Sequence, residues 1–366
     1  MRPNRNAGRI RVFALLLCAA LLAGCGKTAA SDSAATSADL RPETDVVRLA
    51  YSVELSSNGH IFNAIAEQQG YLEAEGIRVE YVHIENDAEA FAALADGRID
   101  VASNSGTNLP LQKIADGQDL TIFGGYMLTG CMPVFARVET EWNGIEDLIG
   151  KTVAFEPNLY AITGPLLDLG YDPLNDINWL ETQNQIDRIT AVENGEADFG
   201  LVGTSLNYEI NTNPNVKICT YASDVLPNYS CCRIEAPTVW MNENPNTVRA
   251  LLKAWIHAMA YYDNHHDETV GMIAEITGQP EALLRAYIDN PHFDLNIDPM
   301  KSSVERAWNY MSGLGLFDAQ AQQINIDDHI NVTLYKQALD ACQKEYGSEN
   351  PKFYERMQAQ FARYNL

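Results

Sequence analysis

The sequence predicts an α/β protein of two sheet-containing lobes with a helical C-terminal region. Three observations carry that expectation. Strand-like runs alternate with helix-length amphipathic segments from Val46 to Val202. One helix-to-strand junction, Asp96-Gly97-Arg98-Ile99-Asp100-Val101-Ala102, recurs 98 positions later as Asn194-Gly195-Glu196-Ala197-Asp198-Phe199-Gly200. Beyond Ser230 the texture changes to helices, and 366 residues exceed what one compact core usually serves.

The first 24 residues stand apart from the fold. Arg2, Arg5, Arg9 and Arg11 precede an apolar run from Val12 to Leu22 that is about half the length of a membrane span. Leu22-Ala23-Gly24-Cys25 then closes it with small residues before a thiol, so residues 1–24 read as a lipoprotein export signal cut before Cys25, the expected lipidation site. Cys18 follows bulky Leu17 and fits such a cleavage site poorly. Residues 25–44 are small and polar without an aromatic ring, the composition of a flexible tether.

The elements follow in order. Val46–Tyr51 is rich in β-branched residues and reads as a strand. Ser56, Ser57 and Asn58 offer caps for a helix bearing Ile61, Phe62, Ile65 and Ala66, which should stop near Gly70 or Gly76. Ile77–Val82 alternates as a second strand. A helix over 88–95, a strand over 99–103, a helix over 108–115 and a strand over 121–126 complete the first lobe's opening part. The second lobe repeats the pattern, with strands expected at 134–136, 151–155, 177–180 and 199–202 and helices at 160–169 and 186–193. A helix then opens with Asn244 as cap and Pro245 at its first position, burying Val248, Leu251, Leu252, Trp255, Ile256 and Met259 on one face. Further helices are expected at 267–277, 281–288, 302–311 and 332–345, packing back onto the first lobe.

Charge and cysteines exclude several classes. Cleavage of the signal removes four arginines and no acid, taking the formal charge from −24 to −28, which argues against a nucleic-acid partner. The five cysteines after Cys25 are Cys131, Cys219, Cys231, Cys232 and Cys342, an odd number without C-x-x-C spacing. No metal site is expected from them, and His265-His266-Asp267-Glu268 reads as a solvated polar end of a helix. The vicinal pair Cys231-Cys232 reads as two buried apolar side chains, with a strained disulfide as the alternative. There is no G-x-S-x-G, P-loop or H-E-x-x-H, so no catalytic residue and no cofactor are assigned.

In alternating β/α sheets ligands bind beyond the carboxyl ends of strands, where helix N-termini offer free N–H groups. Four such junctions carry small polar residues. The candidate ligand-binding residues are Ser56, Ser57, Asn58 and His60; Asn104, Ser105 and Thr107; Asn158, Tyr160 and Thr163; and Thr204 and Ser205. Each also suits a simple helix cap. Glu54 and Glu156, beside two of these loops, are candidate hydrogen-bond acceptors for a ligand.

The order of pieces resembles the substrate-binding proteins of nitrate, taurine, sulfonate and thiamine-precursor ABC importers, the SsuA/THI5-like, NMT1-like group. The resemblance rests on Ala64–Ile77, on Leu94–Ala102, on Ile145–Val153 and on the helix opened by Asn244-Pro245-Asn246-Thr247-Val248. It implies a two-lobed periplasmic-binding-protein type II fold, each lobe a β-sheet flanked by helices. It places the chain crossings near Tyr126–Cys131 and Thr220–Ser223, with 45–127 as the first part of lobe 1, 128–222 as lobe 2, and 223–366 as the return to lobe 1. The implied function is capture of a small solute outside the cytoplasm and delivery to a membrane permease. The protein is then a monomer anchored at the cell membrane by lipid on Cys25, in the periplasm or on the outer face. The implied solutes are a sulfonate, taurine, nitrate or a thiamine-pyrimidine-like molecule. The group also resembles a pyrimidine synthase that holds iron in a cysteine-rich segment, from which Cys231-Cys232-Arg233 departs. An exported binding lipoprotein outside transport is the other alternative.

Overall fold

The computed structural model describes residues 41–51, 61–84 and 86–366, except for the side chains of Tyr51, Asp87 and Asn104. The signal, Cys25, most of the tether, Glu54 and the Ser56, Ser57, Asn58 and His60 loop lie outside the described residues.

Among the described residues the strands are β1 (Val46–Tyr51), β2 (Arg78–His83), β3 (Ala102–Gly106), β4 (Leu120–Thr129), β5 (Pro133–Arg137), β6 (Thr152–Ala154), β7 (Asn178–Trp179), β8 (Phe199–Leu201), β9 (Val216–Tyr221), β10 (Cys232–Pro237) and β11 (Asp294–Leu295). β1 and β2 pair in parallel, and a parallel bridge from Leu49 to Val101 joins β1 to the run that enters β3. From β3 the hydrogen-bonded order continues through β10 and β4 to β11. A second sheet, ordered β7-β6-β8-β5-β9, draws every strand from Pro133 to Tyr221. Residues 130–132 carry the chain out between the sheets, and residues 222–231 bring it back.

The repeated junction is equivalent in three dimensions. Gly97 and Gly195 both stop a helix with positive φ, 74° and 75°. Three residues on, the Asp100 carboxylate accepts from the Arg48 N–H at 2.7 Å while the Asp100 N–H donates to the Arg48 carbonyl at 2.9 Å. Asp198 does the same with Thr152, at 3.0 and 2.8 Å. Each aspartate thus splices a helix-to-strand turn onto the neighbouring parallel strand.

β10 corrects the reading of everything beyond Ser230 as helical. It pairs antiparallel with both β3 and β4 and is central to its sheet, although it carries Arg233 and Glu235. Both side chains are fully buried, and Arg233 donates to the carbonyls of Met127, Asp298 and Pro299 at 2.9–3.1 Å. Gly125 permits this approach, because a Cβ there would lie 2.6 Å from the Asp298 carbonyl. β9 and β11 are also strands that sequence reading passed over, as is the last helix, Pro351–Tyr364. β3 begins three residues later than expected, and Val101 just before it is held in a parallel bridge to Leu49.

The helices Pro245–Asn264, Thr333–Tyr346 and Pro351–Tyr364 pack with Ile61–Gln68 on the first sheet, burying Phe62, Ile65, Leu251, Trp255, Leu339 and Phe361 in one cluster. The cap of the helix Pro245–Asn264 differs from expectation. The Asn244 amide donates to the Trp240 carbonyl, while the Glu43 carboxylate accepts from the N–H groups of Asn246 and Thr247 at 3.0 and 2.9 Å. The helix Lys301–Gly313 reaches the second sheet's helix Tyr160–Asp168, where the Tyr310 ring lies against Gly164 and the Tyr310 hydroxyl donates to Asp168.

Candidate functional site at the chain crossings

The loops after β3 and β6, one from each sheet, converge on the returning connection. Its residues Asn228 and Ser230 have positive φ, 52° and 53°, a conformation that costs a side-chain-bearing residue energy and turns successive carbonyls in different directions. Ser230 is wholly buried. From the first sheet's side, the Thr107 hydroxyl donates to the Ser230 carbonyl, and the Thr107 N–H donates to the Cys231 carbonyl at 3.0 Å. From the second sheet's side, the Tyr160 hydroxyl directs its proton at the Tyr229 and Ser230 carbonyls, the latter at 2.8 Å. Two predicted site residues from different loops therefore meet at one backbone carbonyl. Burial drives the Tyr160 phenol pKa well above its ordinary value, so it stays a protonated donor.

The outgoing connection is bound to the returning one. The Tyr229 hydroxyl bonds both the N–H and the carbonyl of Gly130. Thr204 Oγ1 and Cys231 Sγ crowd the same glycine, since an added Cβ would lie 2.7 and 2.8 Å from them. The Asn207 amide donates to the Cys131 carbonyl at 2.6 Å and to the Thr204 carbonyl at 2.8 Å. Burial raises the Cys131 thiol pKa, whereas the Cys232 thiol, 3.6 Å away, helps hold the Cys231 thiol below its ordinary value. Cys232 is buried and Cys231 half-buried.

The remaining candidates divide. Ser105 is buried in β3 opposite Arg233. The Thr163 hydroxyl is used inside its helix, donating to the Leu159 carbonyl at 3.0 Å. Asn158 and Ser205 are half-buried on the loops after β6 and β8. The backbone of Asn104 lies in β3.

Sequence reading missed two residues that tie the second sheet's loops together. Asn184 caps the helix Gln185–Glu193, and its first turn presents Gln185 and Arg188 three positions apart, on one face. Gln185 Oε1 accepts from the Gly203 N–H at 2.5 Å. Arg188 donates to Glu156 Oε1 at 2.5 Å, with its guanidinium 4.3 Å from the centre of the Phe155 ring. Burial lowers the Arg188 pKa and the Glu156 carboxylate opposes that shift. The polar i, i+3 pair behind an Asn cap was the available signal. Among the described residues no group of three or more His, Cys, Asp or Glu side chains is arranged to hold a metal ion.

A family model described as NMT1/THI5 like matches residues 57–269, more than half of the chain. The chain belongs to the NMT1/THI5-like family. The matched span takes in all the loops described above, both connections and the helix Pro245–Asn264. Solved structures agree on the fold. The periplasmic nitrate-binding protein NrtA from Synechocystis PCC 6803 superposes with a TM-score of 0.65 at 16% identity, over 89% of this chain and all of that one. The alkanesulfonate-binding protein SsuA from Xanthomonas axonopodis pv. citri, bound to MOPS, gives 0.62 at 16% identity, over 80% of this chain and 99% of that one. The aliphatic sulphonate binding protein SsuA from Escherichia coli gives 0.60 at 18% identity, over 75% and 86%. No curated protein sequence matches the chain. This NMT1/THI5-like chain therefore has the expected two-lobed periplasmic-binding-protein type II architecture, with its C-terminal helices on the first lobe.

Proposed function

We propose that this protein is the solute-binding component of an ABC importer, exported and held at the membrane by lipid on Cys25. The observation that carries the reading is the convergence of loops from two sheets on paired connections, at Thr107, Tyr160 and Ser230, within an NMT1/THI5-like chain. In this reading residues 45–127 and 223–366 form one lobe and 128–222 the other. The lobes close over a small solute by bending at residues 130–132 and 222–231. No covalent chemistry is assigned. The loops supply hydroxyl, amide and helix N-terminal N–H donors, suiting a sulfonate, taurine, nitrate or thiamine-pyrimidine-like solute, and the protein acts as a monomer delivering it to a membrane permease.

Thermal unfolding against a panel of sulfonates, taurine, nitrate and pyrimidines tests the reading. A ligand at a hundredfold excess over Kd stabilises by about 2.7 kcal/mol, so a dose-dependent rise for one chemical class supports solute capture. The absence of any rise across the panel counts against it. The double variant Asn104→Ala, Ser105→Ala should weaken binding by about 1 to 3 kcal/mol. Cys25→Ser should release the protein from membranes, and retention of that variant would refute the lipid anchor.

A further inference from the structure

On the first lobe, away from the crossings, the helices Pro245–Asn264 and Pro351–Tyr364 and the segment that forms β11 line an open cavity of about 220 Å³. Tyr262, Phe293 and Phe353 give it aromatic walls, and two carboxylates, Asp263 and Asp294, face the same space. Asp263 is satisfied. It accepts from Arg356 at 2.6 Å and from the Asn350 amide at 3.0 Å. The Arg356 guanidinium lies 5.5 Å from the centre of the Phe353 ring, so this cavity already holds one cation between a carboxylate and an aromatic face.

Asp294 has matching surroundings without a cation of the chain upon it. Its backbone is fixed by pairing with Thr129 in β4, and among the described residues its carboxylate accepts no hydrogen bond and forms no ion pair. His266, also in the lining, is engaged elsewhere, with Nε2 2.9 Å from Asp289. Asp294 is exposed to solvent, and the protein packed around its carboxyl pushes the pKa up to about 6. Arg356 opposes that rise and Asp263 adds to it. The two acids and the single arginine leave one negative charge in the cavity uncompensated.

The geometry points to a second binding site, for an alkyl ammonium or guanidinium group, in which Asp294 receives the cation and Tyr262 and Phe293 line its stem. The volume suits one short-stemmed cation and falls below that of a drug-sized ligand. A free small amine and a lysine or arginine side chain of a partner protein share this chemistry. The site is independent of the solute reading at the crossings.

Calorimetric titration of the full chain with agmatine tests the proposal. Agmatine should saturate one site, pentanol should not compete for it, and Asp294→Asn should weaken agmatine by about tenfold while leaving binding of the solute identified at the crossings unchanged. In two-dimensional NMR the agmatine-induced shifts should centre on Tyr262, Phe293 and Asp294. Phe293→Leu, which keeps the carboxylate, provides a second variant and should weaken agmatine less than Asp294→Asn. Binding of the blocked peptide acetyl-Gly-Arg-Gly-amide as tightly as agmatine assigns the site to a protein side chain, and agmatine alone assigns it to a free amine. Equal agmatine affinity in wild type and Asp294→Asn, or no agmatine binding at millimolar concentration, overturns the proposal.

Discussion

The phenol of Tyr229 holds the Gly130 backbone by both of its polar groups, accepting from the N–H at 3.1 Å and donating to the carbonyl at 3.0 Å. Tyr229 sits on the returning connection and Gly130 on the outgoing one, so a single side chain fastens the two segments that join the sheets. Burial raises the Tyr229 pKa well above the ordinary phenol value and keeps the group a neutral donor and acceptor. Tyr229→Phe should leave two buried backbone groups unpaired at a cost of about 2 to 4 kcal/mol. Urea denaturation should show a lower midpoint with an unchanged slope. A midpoint equal to wild type would mean that the bonds contribute nothing to stability.

Gly130 is constrained by space as well as by hydrogen bonds. The close approach of Thr204 Oγ1 and Cys231 Sγ leaves no room for a methyl group, so Gly130→Ala should destabilise by about 1 to 3 kcal/mol through overpacking. Gly271, inside the helix His266–Thr277, is the opposite case, with no atom within 4 Å of an added Cβ. Gly271→Ala should stabilise by about 0.5 to 1 kcal/mol, because alanine loses less conformational freedom in a helix. Measured side by side, two stability changes of the same sign would break this account.

Glu43 ties the segment just before β1 to the N-terminus of the helix Pro245–Asn264. Burial pushes its pKa up, but the N–H groups of Thr247 and Asn246 and the Thr247 hydroxyl outweigh it and leave the carboxyl below its ordinary value. A depressed carboxyl contributes stability above its unfolded pKa, about 4.3 for glutamate, and loses it as pH falls through the folded value. Glu43→Gln should therefore cost about 0.5 to 1 kcal/mol near neutral pH. The gap between the two proteins should close below about pH 4. A gap that persists in acid would place the contribution in packing.

Much of the fold was legible because its signals are local. The glycines at 97 and 195 stop helices by adopting positive φ, and the apolar stripe from Val248 to Met259 marked the helix Pro245–Asn264. β10 was illegible because Arg233 and Glu235 read as surface residues. Only the carbonyls of Met127, Asp298 and Pro299, brought from elsewhere in the chain, explain why the guanidinium can be buried. The site was legible by position and less so by role. Thr107 and Tyr160 stand among the candidate ligand-binding residues, and their hydroxyls meet at Ser230, on a connection whose positive φ values no side chain announces. Arg188 and Gln185 escaped notice because their partners, Glu156 and Gly203, are distant in sequence.

The shared carbonyl of Ser230 makes a further prediction about coupling. A carbonyl oxygen has two acceptor positions, so Thr107→Val alone leaves it the Tyr160 hydroxyl, and Tyr160→Phe alone leaves it the Thr107 hydroxyl. Only the double variant strips both side-chain donors from a buried carbonyl. The second substitution should thus cost more when the first is already present, giving a coupling energy of about 0.5 to 2 kcal/mol in a double-mutant cycle. Because Thr107 comes from the loop after β3 and Tyr160 from the helix after β6, the same cycle measured on solute affinity reads how far the two loops bind as one unit. Additive losses in both measurements would separate them into independent supports of the returning connection, and coupling in stability without coupling in affinity would confine the shared carbonyl to holding the fold.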